Sequence, residues 1–559
     1  MIISIFAFLF AGFFHKISAI TQDLGRHFLL GEIILKTLNV PKINLFSYTY
    51  PNFPFINLHW LSEIIFYLIY RISNYNGLLI FSTIIIIIAF AIIFFKSLTK
   101  NNLIPVTIGS ILYLNILFER TDIRPEIFSF LFLSFFILTL YKNKGRSTKL
   151  IYLLPLLELL WVNLHIYFAI GIAVIGIFFL DQLAKSRSFK DKKTINILIV
   201  LILSSITTLF NPNGITGAIY PFIYSSNYGY TIEENQNIFF LWNLFHNTTI
   251  IYFALTSLLL TLSFLIAFKK SRLVDLLLSS FFIFLGASAI RNFPLFVFGT
   301  FIAFVHNLST IFPKISFNVK KIILATLIFI ICYQTAKVVQ TNSFGFGIEP
   351  GAQKGADFFL ANKLKGPLFN NFDVGGYLDY RFYPKERVFV DNRPGEYPSS
   401  FFQKVYIPMQ QDPTVFENVN KKYKFNIIFF SYLDQTPWAN IFLKNIVNNK
   451  NWKIIYLDDY SIILAKDNEQ NEKLISEFGM TRENLKISNL NEKNEDSLIK
   501  LAVLFNKIGW QEREINMFEK ILVVNPEFCP ALYNLASYYS QKNDPLGNIY
   551  SIKFQSYCK

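Results

Sequence analysis

The sequence contains little cysteine and little charge. Only three of its 559 residues are cysteines, and no two of them have CxxC spacing, so we predict neither a metal site nor a disulfide framework. The three are Cys332, Cys529 and Cys558. Charged residues make up 16% of the chain, whereas 53% of it is hydrophobic. Its apolar runs are long enough to cross about 30 Å of hydrocarbon, which predicts a polytopic membrane protein.

The amino terminus lacks the basic residues that open a signal peptide, since the first charged side chain is Lys16. We therefore predict that the apolar run from Met1 to about Ile20 is a retained first span. The segment Trp60–Arg71 is amphipathic and is predicted to lie in the membrane interface. Further runs bring the total to about eleven spans: 77–95, 103–118, 125–141, 150–164, 166–181, 194–210, 247–268, 273–290, 292–311 and 321–338.

The loops between these spans alternate in charge. One set is rich in lysine and arginine: Lys96/Lys100, Lys142–Lys149, Lys185–Lys193, Lys269–Arg272 and Lys314/Lys320/Lys321. The positive-inside rule makes this set cytoplasmic and predicts an extracytoplasmic tail. Most of the net charge of +15 lies in these loops, so it orients the protein in the membrane and does not indicate nucleic-acid binding.

The opposite loops carry the polar residues that are candidates for a functional site. The stretch Gln22–Glu63 is a polar and aromatic island, which must reach water or a protein cavity because polar groups are costly beside lipid. A solvated loop is the alternative. Glu158 lies within a span and on a helix would share a face with His165, although a structural hydrogen bond is an equal alternative for it. The polar residues of these loops are Asp23, His27, Glu63, Asp122, Arg124, Asn163, His165, Asn211, Glu233, Glu234 and Arg291.

A soluble domain is predicted at 345–470, where the composition changes. Six segments have strand patterns: Pro367–Phe369, Tyr377–Phe382, Arg387–Val390, Phe425–Tyr432, Trp452–Leu457 and Ser461–Ala465. Helical patterns at Ala352–Leu364, 414–423 and 437–447 make this a small α/β domain. The tripeptide Asp391-Asn392-Arg393 ends one strand, where it forms either a site or an exposed turn.

The tail at 495–559 has helical spacing. Four of its residues recur as similar residues 34 positions later, which is the period of tetratricopeptide repeats: Leu498, Leu501, Ala502 and Phe505, followed by Leu532, Leu535, Ala536 and Tyr539. About two units are present, and Glu514 stands where the motif has a small residue. Such repeats bind partners and perform no chemistry.

Short motifs of this chain resemble those of GT-C glycosyltransferases that use polyprenyl-phosphate-linked sugars. They are Asp23-Leu24-Gly25-Arg26-His27, Pro41 with Phe46–Thr49, Trp60–Glu63, Arg124–Ser129, Trp161–His165, Gly375–Leu378 and Val390–Arg393. The chain is also similar to bacterial membrane proteins of this general plan. The resemblance implies an α-helical GT-C-like bundle over 1–340, with its first outer loop at 21–76, in the bacterial cytoplasmic membrane.

The resemblance also implies the chemistry of a site. A lipid-linked sugar donor would bind in a cavity open to the outside, and the sugar would pass to a glycan, lipid or protein acceptor. Asp23 would be the base that removes the acceptor proton, with Glu63 or Glu158 as a second carboxylate. Arg124 and Arg291 would bind the donor phosphate. Substrate binding is expected for His27, Arg124, Glu158, His165 and Arg291. No residue set indicates a metal or another cofactor.

Two other classes of function stay open. A non-catalytic membrane scaffold would bind a protein partner through the repeats of the tail. An O-antigen ligase or polymerase-like enzyme also joins a membrane bundle to such repeats, but we expect its main site in a later outer loop, for which Asn211–Phe245 is the candidate. A transporter is disfavoured because the sequence has no evident inverted repeat or pair of broken spans.

Overall fold

A computed structural model describes residues 1–17, 23–145, 149–223, 228–312, 316–488 and 490–558. Six predicted segments contain residues outside the described ranges: 18–20 of the first span, 21–22 of the first loop, 146–148 of one basic run, 224–227 of the loop Asn211–Phe245, Lys314 of another basic run and Lys559 of the tail. The membrane part consists of fourteen described helices: α1 Ile2–Phe13, α2 Leu24–Thr37, α3 Trp60–Ser97, α4 Leu103–Leu117, α5 Glu126–Gly145, α6 Leu154–Leu164, α7 Phe168–Ser186, α8 Lys192–Thr207, α9 Gly214–Ile223, α10 Ile238–Leu244, α11 Thr248–Ile266, α12 Leu273–Ser288, α13 Phe293–Ile311 and α14 Phe317–Thr341.

The chain is a multi-pass membrane protein. Among the described residues, six helices are long and apolar enough to cross a membrane: Trp60–Ser97, Glu126–Asn143, Phe168–Ser186, Thr248–Ile266, Ile290–Ile311 and Phe317–Thr341. The predicted total of eleven spans is not confirmed. The predicted spans 150–164 and 194–210 contain α-helices of 11 and 16 residues. At about 1.5 Å per residue, such helices are shorter than the hydrocarbon layer.

The first predicted span is also shorter than expected. Helix α1 ends at Phe13, and the chain then pairs with the segment that follows α14. In this pairing His15 lies opposite Phe344 and Ile17 lies opposite Ile348. Residues 15–17 therefore lie beside the linker that leads from the membrane bundle into the soluble domain.

Helix α3 contains a kink between the predicted interface helix and the predicted span at 77–95. Ser73 and Asn74 have non-helical backbone angles, and Asn74 has a φ of 53°. The Ser73 hydroxyl donates to the carbonyl oxygen of Ile69 at 3.0 Å and so satisfies a backbone group near the break.

The first loop begins with a helix, α2, that lies between the membrane bundle and the soluble domain. Two glycines allow the close approach on either side. A Cβ added at Gly31 would overlap the backbone of Glu63 in α3, and one added at Gly25 would lie 2.9 Å from Cβ of Tyr380. Because both neighbours are fixed by their own elements, α2 holds Asp23 and His27 at the junction of the two parts.

The α/β domain has a four-stranded mixed sheet with the order β1-β2-β4-β3. Strand β1 is parallel to β2, whereas β4 is antiparallel to both β2 and β3. Its elements are α15 Gln353–Ala361, β1 Leu368–Asn370, α16 Phe372–Phe382, α17 Ser399–Phe401, a π-helical turn Phe402–Tyr406, α18 Ile407–Gln411, α19 Pro413–Tyr423, β2 Ile427–Ser431, α20 Pro437–Ile446, β3 Trp452–Leu457, β4 Ser461–Lys466 and α21 Glu472–Phe478. Four predicted strands and all three predicted helices are present with small shifts of their ends.

Two of the predicted strands are wrong. Tyr377–Phe382 belongs to helix α16, whose buried residues Val374, Tyr377, Leu378 and Phe382 follow helical spacing. Its aromatic residues favoured a strand, but the Gly375-Gly376 pair serves close packing, since a Cβ on Gly375 would lie 2.6 Å from Cα of Asp391. The segment Arg387–Val390 contributes only an isolated pairing of Val388 with Ser47 of the first loop.

The tail contains four helices in two antiparallel pairs: α22 Glu495–Ile508, α23 Gln511–Val524, α24 Cys529–Gln541 and α25 Leu546–Tyr557. Its assignment to tetratricopeptide repeats stays a prediction. A disulfide joins Cys529 to Cys558, so the prediction of no disulfide framework is wrong for this pair. The pairing follows from the helix hairpin, because Cys529 begins α24 and Cys558 follows the end of the antiparallel α25. Lys507 fixes the tail to the α/β domain by donating to the carbonyl oxygens of Tyr432 and Asp434, each at 2.9 Å.

We predict that Cys529→Ser destabilises the tail by about 3–4 kcal/mol, because the disulfide closes a loop between residues 29 positions apart. Limited proteolysis should cleave α24 and α25 faster in this variant than in wild type. Cys332→Ser, which removes the exposed free cysteine, is the matched control and should leave the cleavage rate unchanged. Three reactive thiols in the unreduced, denatured protein would contradict the disulfide.

Candidate active site

A cavity of about 1040 Å³ lies between the loop ends of the membrane helices and the α/β domain. Its wall includes residues of the first loop, of the loop that contains Arg124, of the segment at His165, of the loop Asn211–Phe245 and of the segment at Arg291, and also the turn that follows Val390 in the α/β domain. The ionisable residues of the wall are Asp23, Arg26, His27, His59, Glu63, Glu119, Arg120, Arg124, Glu126, His165, Tyr167, Tyr220, Tyr228, Glu233, Glu234, Arg291, Asp373, Arg393 and Glu396. The polar residues of separate loops therefore meet at one place, and the alternative of a solvated first loop is wrong.

Asp23 precedes α2 and is held from three sides. Its Oδ1 atom accepts a hydrogen bond from Nδ2 of Asn392 at 2.5 Å and lies 3.5 Å from Nη2 of Arg26. Its Oδ2 atom lies 3.4 Å from Nη2 of Arg124. Burial raises the pKa of Asp23, but Arg124 and Arg26 lower it more, so the pKa lies below its ordinary value. Asp23 is therefore an ionised carboxylate at neutral pH.

Two arginines beside Asp23 share one carboxylate. Arg120 forms a forked pair with Glu126, with N–O distances of 2.8 and 3.0 Å. Both Arg120 and Arg124 also donate to Oε2 of Glu234, and the bond from Arg124 is 2.8 Å long. Burial raises the pKa of Glu234, but Arg124 and Arg120 outweigh burial and lower it. The two guanidinium groups thus form a site for one anionic oxygen.

Arg291 also lines the cavity and contacts the same turn as Arg120 and Arg124. Its Nη1 atom donates to Oδ1 of Asn235 at 2.8 Å, and its Nε atom donates to the hydroxyl oxygen of Tyr167 at 3.2 Å. Asn235 directly follows Glu234, so one short turn of the loop between α9 and α10 is attached to the membrane bundle through Arg120, Arg124 and Arg291. Both arginines predicted to bind phosphate therefore line the cavity.

Three histidines lie in a row along the wall. The ring centroids of His27 and His59 are 6.1 Å apart, and those of His59 and His165 are 5.0 Å apart. Burial is the largest cause that lowers the pKa of each ring, so all three are neutral at pH 7. Nδ1 of His27 lies 3.1 Å from Oε1 of Glu63, whose Oε2 accepts from Nδ2 of Asn57 at 2.7 Å. Both oxygens of Glu63 are therefore occupied.

Glu158 lies outside the cavity. Helix α6 ends at Leu164, and His165 is extended, with a φ of −163°, so the predicted helix face shared by Glu158 and His165 is wrong. His165 faces the cavity and pairs its Nδ1 with the hydroxyl of Ser129 at 2.9 Å. Glu158 is fully buried beside Gly171 of α7, and within the described part of the chain neither of its oxygens has a hydrogen-bond partner.

Arg393 anchors the first loop to the α/β domain. Its guanidinium binds Asp391 through Nη2–Oδ2 and Nε–Oδ1 contacts of 2.6 and 3.1 Å, and it donates to Oδ1 of Asn44 at 3.0 Å. It also lies 4.8 and 5.3 Å from the ring centroids of Phe46 and Phe55. Because Asp391 and Arg393 are only 0% and 7% exposed, the alternative of an exposed turn is wrong.

The α/β domain brings two further carboxyl groups to the cavity. Burial, together with Asp434, raises the pKa of Asp373 to about 7. Burial also raises the pKa of Glu396 to about 8, although Arg393 opposes the shift. A large share of both groups is therefore protonated at neutral pH, and they add little negative charge beside the arginines.

Residues that the sequence did not single out complete the wall. Arg120 lies between the predicted spans 103–118 and 125–141, in the same loop as Asp122 and Arg124, and His59 lies in the polar stretch Gln22–Glu63. Their positions in the sequence therefore pointed to the site, although neither residue was singled out. Asn392 lies in a tripeptide for which a site was one of two alternatives. Over the described ranges, no group of three or more His, Cys, Asp or Glu side chains is arranged to hold a metal ion.

Comparison with solved structures gives matches over most of the chain. The archaeal oligosaccharyltransferase AglB from Archaeoglobus fulgidus, in complex with an inhibitory peptide and a dolichol-phosphate, matches with a TM-score of 0.57 and 11% identity over 94% of this chain and 82% of that chain. The apo form of the Archaeoglobus fulgidus oligosaccharyltransferase matches with a TM-score of 0.55 and 11% identity over 84% and 74%. The arabinofuranosyltransferase AftD from mycobacteria has a TM-score of 0.48 and 12% identity over 84% and 39%.

The first two matches show the fold. The chain has a GT-C-like fold, as the resemblance of its motifs implied. No family model matches the sequence, and comparison with curated proteins gives no significant match.

We predict that Arg393→Met destabilises the folded protein by about 3–5 kcal/mol, because it leaves Asp391 buried without its cation. Asp391→Asn should also destabilise, since it leaves Arg393 unpaired. The double variant, which removes both charges, should lose less stability than the sum of the single losses. Thermal unfolding in detergent measures all three. Strictly additive losses would show that the two charges do not depend on each other.

Proposed function

We propose that this protein is a membrane glycosyltransferase that moves a sugar from a polyprenyl-phosphate-linked donor to an acceptor at the extracytoplasmic face. The observation that carries the proposal is the ionised Asp23 carboxylate 3.4 Å from the Arg124 guanidinium in a cavity at the ends of membrane helices. A base and a cation are what this reaction needs. The GT-C-like fold supports the proposal, since the matching AglB structure contains a dolichol-phosphate.

Asp23 acts as the general base in this proposal. It takes the proton of an acceptor hydroxyl while the acceptor oxygen forms a bond to the anomeric carbon of the donor sugar. The bond from that carbon to the phosphate oxygen breaks, and the electron pair leaves with the polyprenyl phosphate. Glu63 does not contact the reacting atoms in this scheme, because its side chain is only 1% exposed, whereas that of Asp23 is 17% exposed. It positions His27, which lines the substrate side of the cavity with His165.

The donor phosphate binds at Arg120 and Arg124, and Arg291 is a third arginine of the same cavity. Guanidinium forks match phosphate oxygens and stabilise the charge that develops on the leaving group. The Glu234 carboxylate now bridges the two guanidinium groups and occupies the place of one phosphate oxygen. Donor binding therefore requires Glu234, on its short turn, to move away from Arg120 and Arg124.

The cavity and the tail lie outside the cytoplasm in this proposal, and the membrane is the cytoplasmic membrane of a bacterium. The alternation of basic loops supports this orientation. The Cys529–Cys558 disulfide supports it independently, because disulfides persist in oxidising compartments. The tail, if its helix pairs act as tetratricopeptide units, binds a protein partner or an acceptor.

We predict that Asp23→Asn folds normally and lowers turnover by about 10²–10⁴-fold, the usual contribution of a general base. The assay follows sugar transfer from polyprenyl-phosphate donors in liposomes. Asp122→Asn is the matched control, because Asp122 also lies near Arg124, at 3.7 Å, but is not part of the cavity wall. This control should retain most of the activity.

Full activity of a well-folded Asp23→Asn protein would exclude Asp23 as the base. Failure of the wild type to transfer any sugar across plausible donors would favour the alternative of a non-catalytic scaffold.

A further inference from the structure

We propose that Asn392, which belongs to the α/β domain, is a positioning residue that holds and orients the Asp23 carboxylate for proton transfer. The inference rests on the proposed function for its chemical purpose, whereas the contact itself is tested below without any sugar transfer. The α/β domain then contributes to the orientation of the catalytic base.

Among the described residues, the contact between Asn392 and Asp23 is shorter than either contact of Asp23 with an arginine. Nδ2 of Asn392 donates to Oδ1 of Asp23 at 2.5 Å, whereas the guanidinium groups of Arg26 and Arg124 lie 3.5 and 3.4 Å from the carboxylate oxygens. The two arginines therefore act mainly through charge, while the amide fixes the direction in which the carboxylate points. A donor at this distance favours the ionised form of the carboxylate.

The oxygen of the Asn392 amide does not help to hold the α/β domain against the rest of the protein. This Oδ1 atom is buried and has no hydrogen-bond partner in the described part of the chain. A side chain whose only task is to join two surfaces would be expected to use both polar ends. The unpaired oxygen leaves the amide committed to Asp23 alone, and Asn392 lies on the cavity wall.

The backbone on both sides of Asn392 is fixed. Asp391 and Arg393 form the buried ion pair described above, and Arg393 is attached to Asn44 of the first loop. The backbone N–H of Asp391 also donates to the hydroxyl oxygen of Tyr397 at 3.0 Å. Asn392 therefore approaches Asp23 from a rigid turn, which is what a positioning residue requires.

The other titratable groups around Asp23 come from several elements and are unchanged by substitution of Asn392. Arg26 and His27 lie on α2, Arg124 precedes α5, Glu234 lies between α9 and α10, and Asp373 lies on α16. Burial and Glu234 raise the pKa of Asp23, whereas Arg124, Arg26 and His27 lower it, and Asp23 in turn raises the pKa of Asp373. Loss of the amide donor should therefore raise the pKa of Asp23 from a value that these groups hold low.

The first experiment measures the protonation of Asp23 directly. Dicyclohexylcarbodiimide reacts with protonated carboxyl groups, and peptide mass spectrometry follows its attachment to Asp23 as a function of pH. We expect Asn392→Ala to move the labelling midpoint upward by about one pH unit, the scale of one hydrogen bond to a charged group. Asn392→Asp should move it further, because two adjacent carboxylates share one proton.

Ser47→Ala is the matched control. The Ser47 hydroxyl joins the first loop to the same segment of the α/β domain by donating to the carbonyl oxygen of Phe389 at 3.0 Å, but Ser47 does not line the cavity. It should leave the labelling midpoint unchanged. An equal shift in Ser47→Ala and Asn392→Ala would assign the effect to domain docking and overturn the proposal, as would no shift in Asn392→Ala.

An exchange of the two side chains tests the pair when a single variant folds poorly. Asn392→Asp should lower the melting temperature, and the double variant Asp23→Asn/Asn392→Asp should regain most of the loss because the amide and carboxylate face each other again. Failure to regain stability would overturn the direct contact. If these results hold while the wild type transfers no sugar, the proposed function fails and the positioning of Asp23 by Asn392 stands.

Discussion

The Asp23 carboxylate joins the first loop, the membrane bundle and the α/β domain. Its ligands are Arg26 from the first loop, Arg124 from the membrane bundle and Asn392 from the α/β domain. A carboxylate taken out of water must find cations or donors, so the loss of any of these three contacts would leave Asp23 with fewer partners. The packing of α2 between α3 and α16 follows the same need, since that helix carries Asp23 to the junction.

The neighbouring arginines have a related constraint. Arg120 and Arg124 cannot be left without anions in a partly buried wall, and Glu234 supplies one. On the proposed function this carboxylate is replaced by a phosphate, so the cavity stays electrically balanced before and after donor binding. The neutral histidine row and the partly protonated Asp373 and Glu396 keep the remaining wall from adding charge that would oppose an anionic donor.

The sequence predicted those strands and loops whose residue pattern is visible within a short stretch of the chain. Strands β2, β3 and β4 were visible as buried runs, and the charged loops were visible because apolar spans separate them. The contacts of the site were not, because Asn392 is 369 positions from Asp23 and Glu234 is 110 positions from Arg124. Helix α16 was mistaken for a strand because its aromatic residues favour strands. The close packing of Gly375 was not visible, because the backbone that Gly375 contacts lies in another segment of the chain. The disulfide was missed because it depends on a helix hairpin that cysteine spacing does not reveal.

The central claim is that this cavity binds a lipid-linked phosphate between Asp23 and the arginines. Photo-crosslinking with a polyprenyl phosphate that carries a diazirine next to its phosphate tests it most directly. We expect labelled peptides from residues 23–27, 120–126 and 232–236, and we expect labelling to fall sharply in Arg124→Ala but not in Arg187→Ala, which changes an arginine of a predicted cytoplasmic loop. Labelling confined to the exposed surface of α14, or equal labelling of wild type and Arg124→Ala, would contradict the claim.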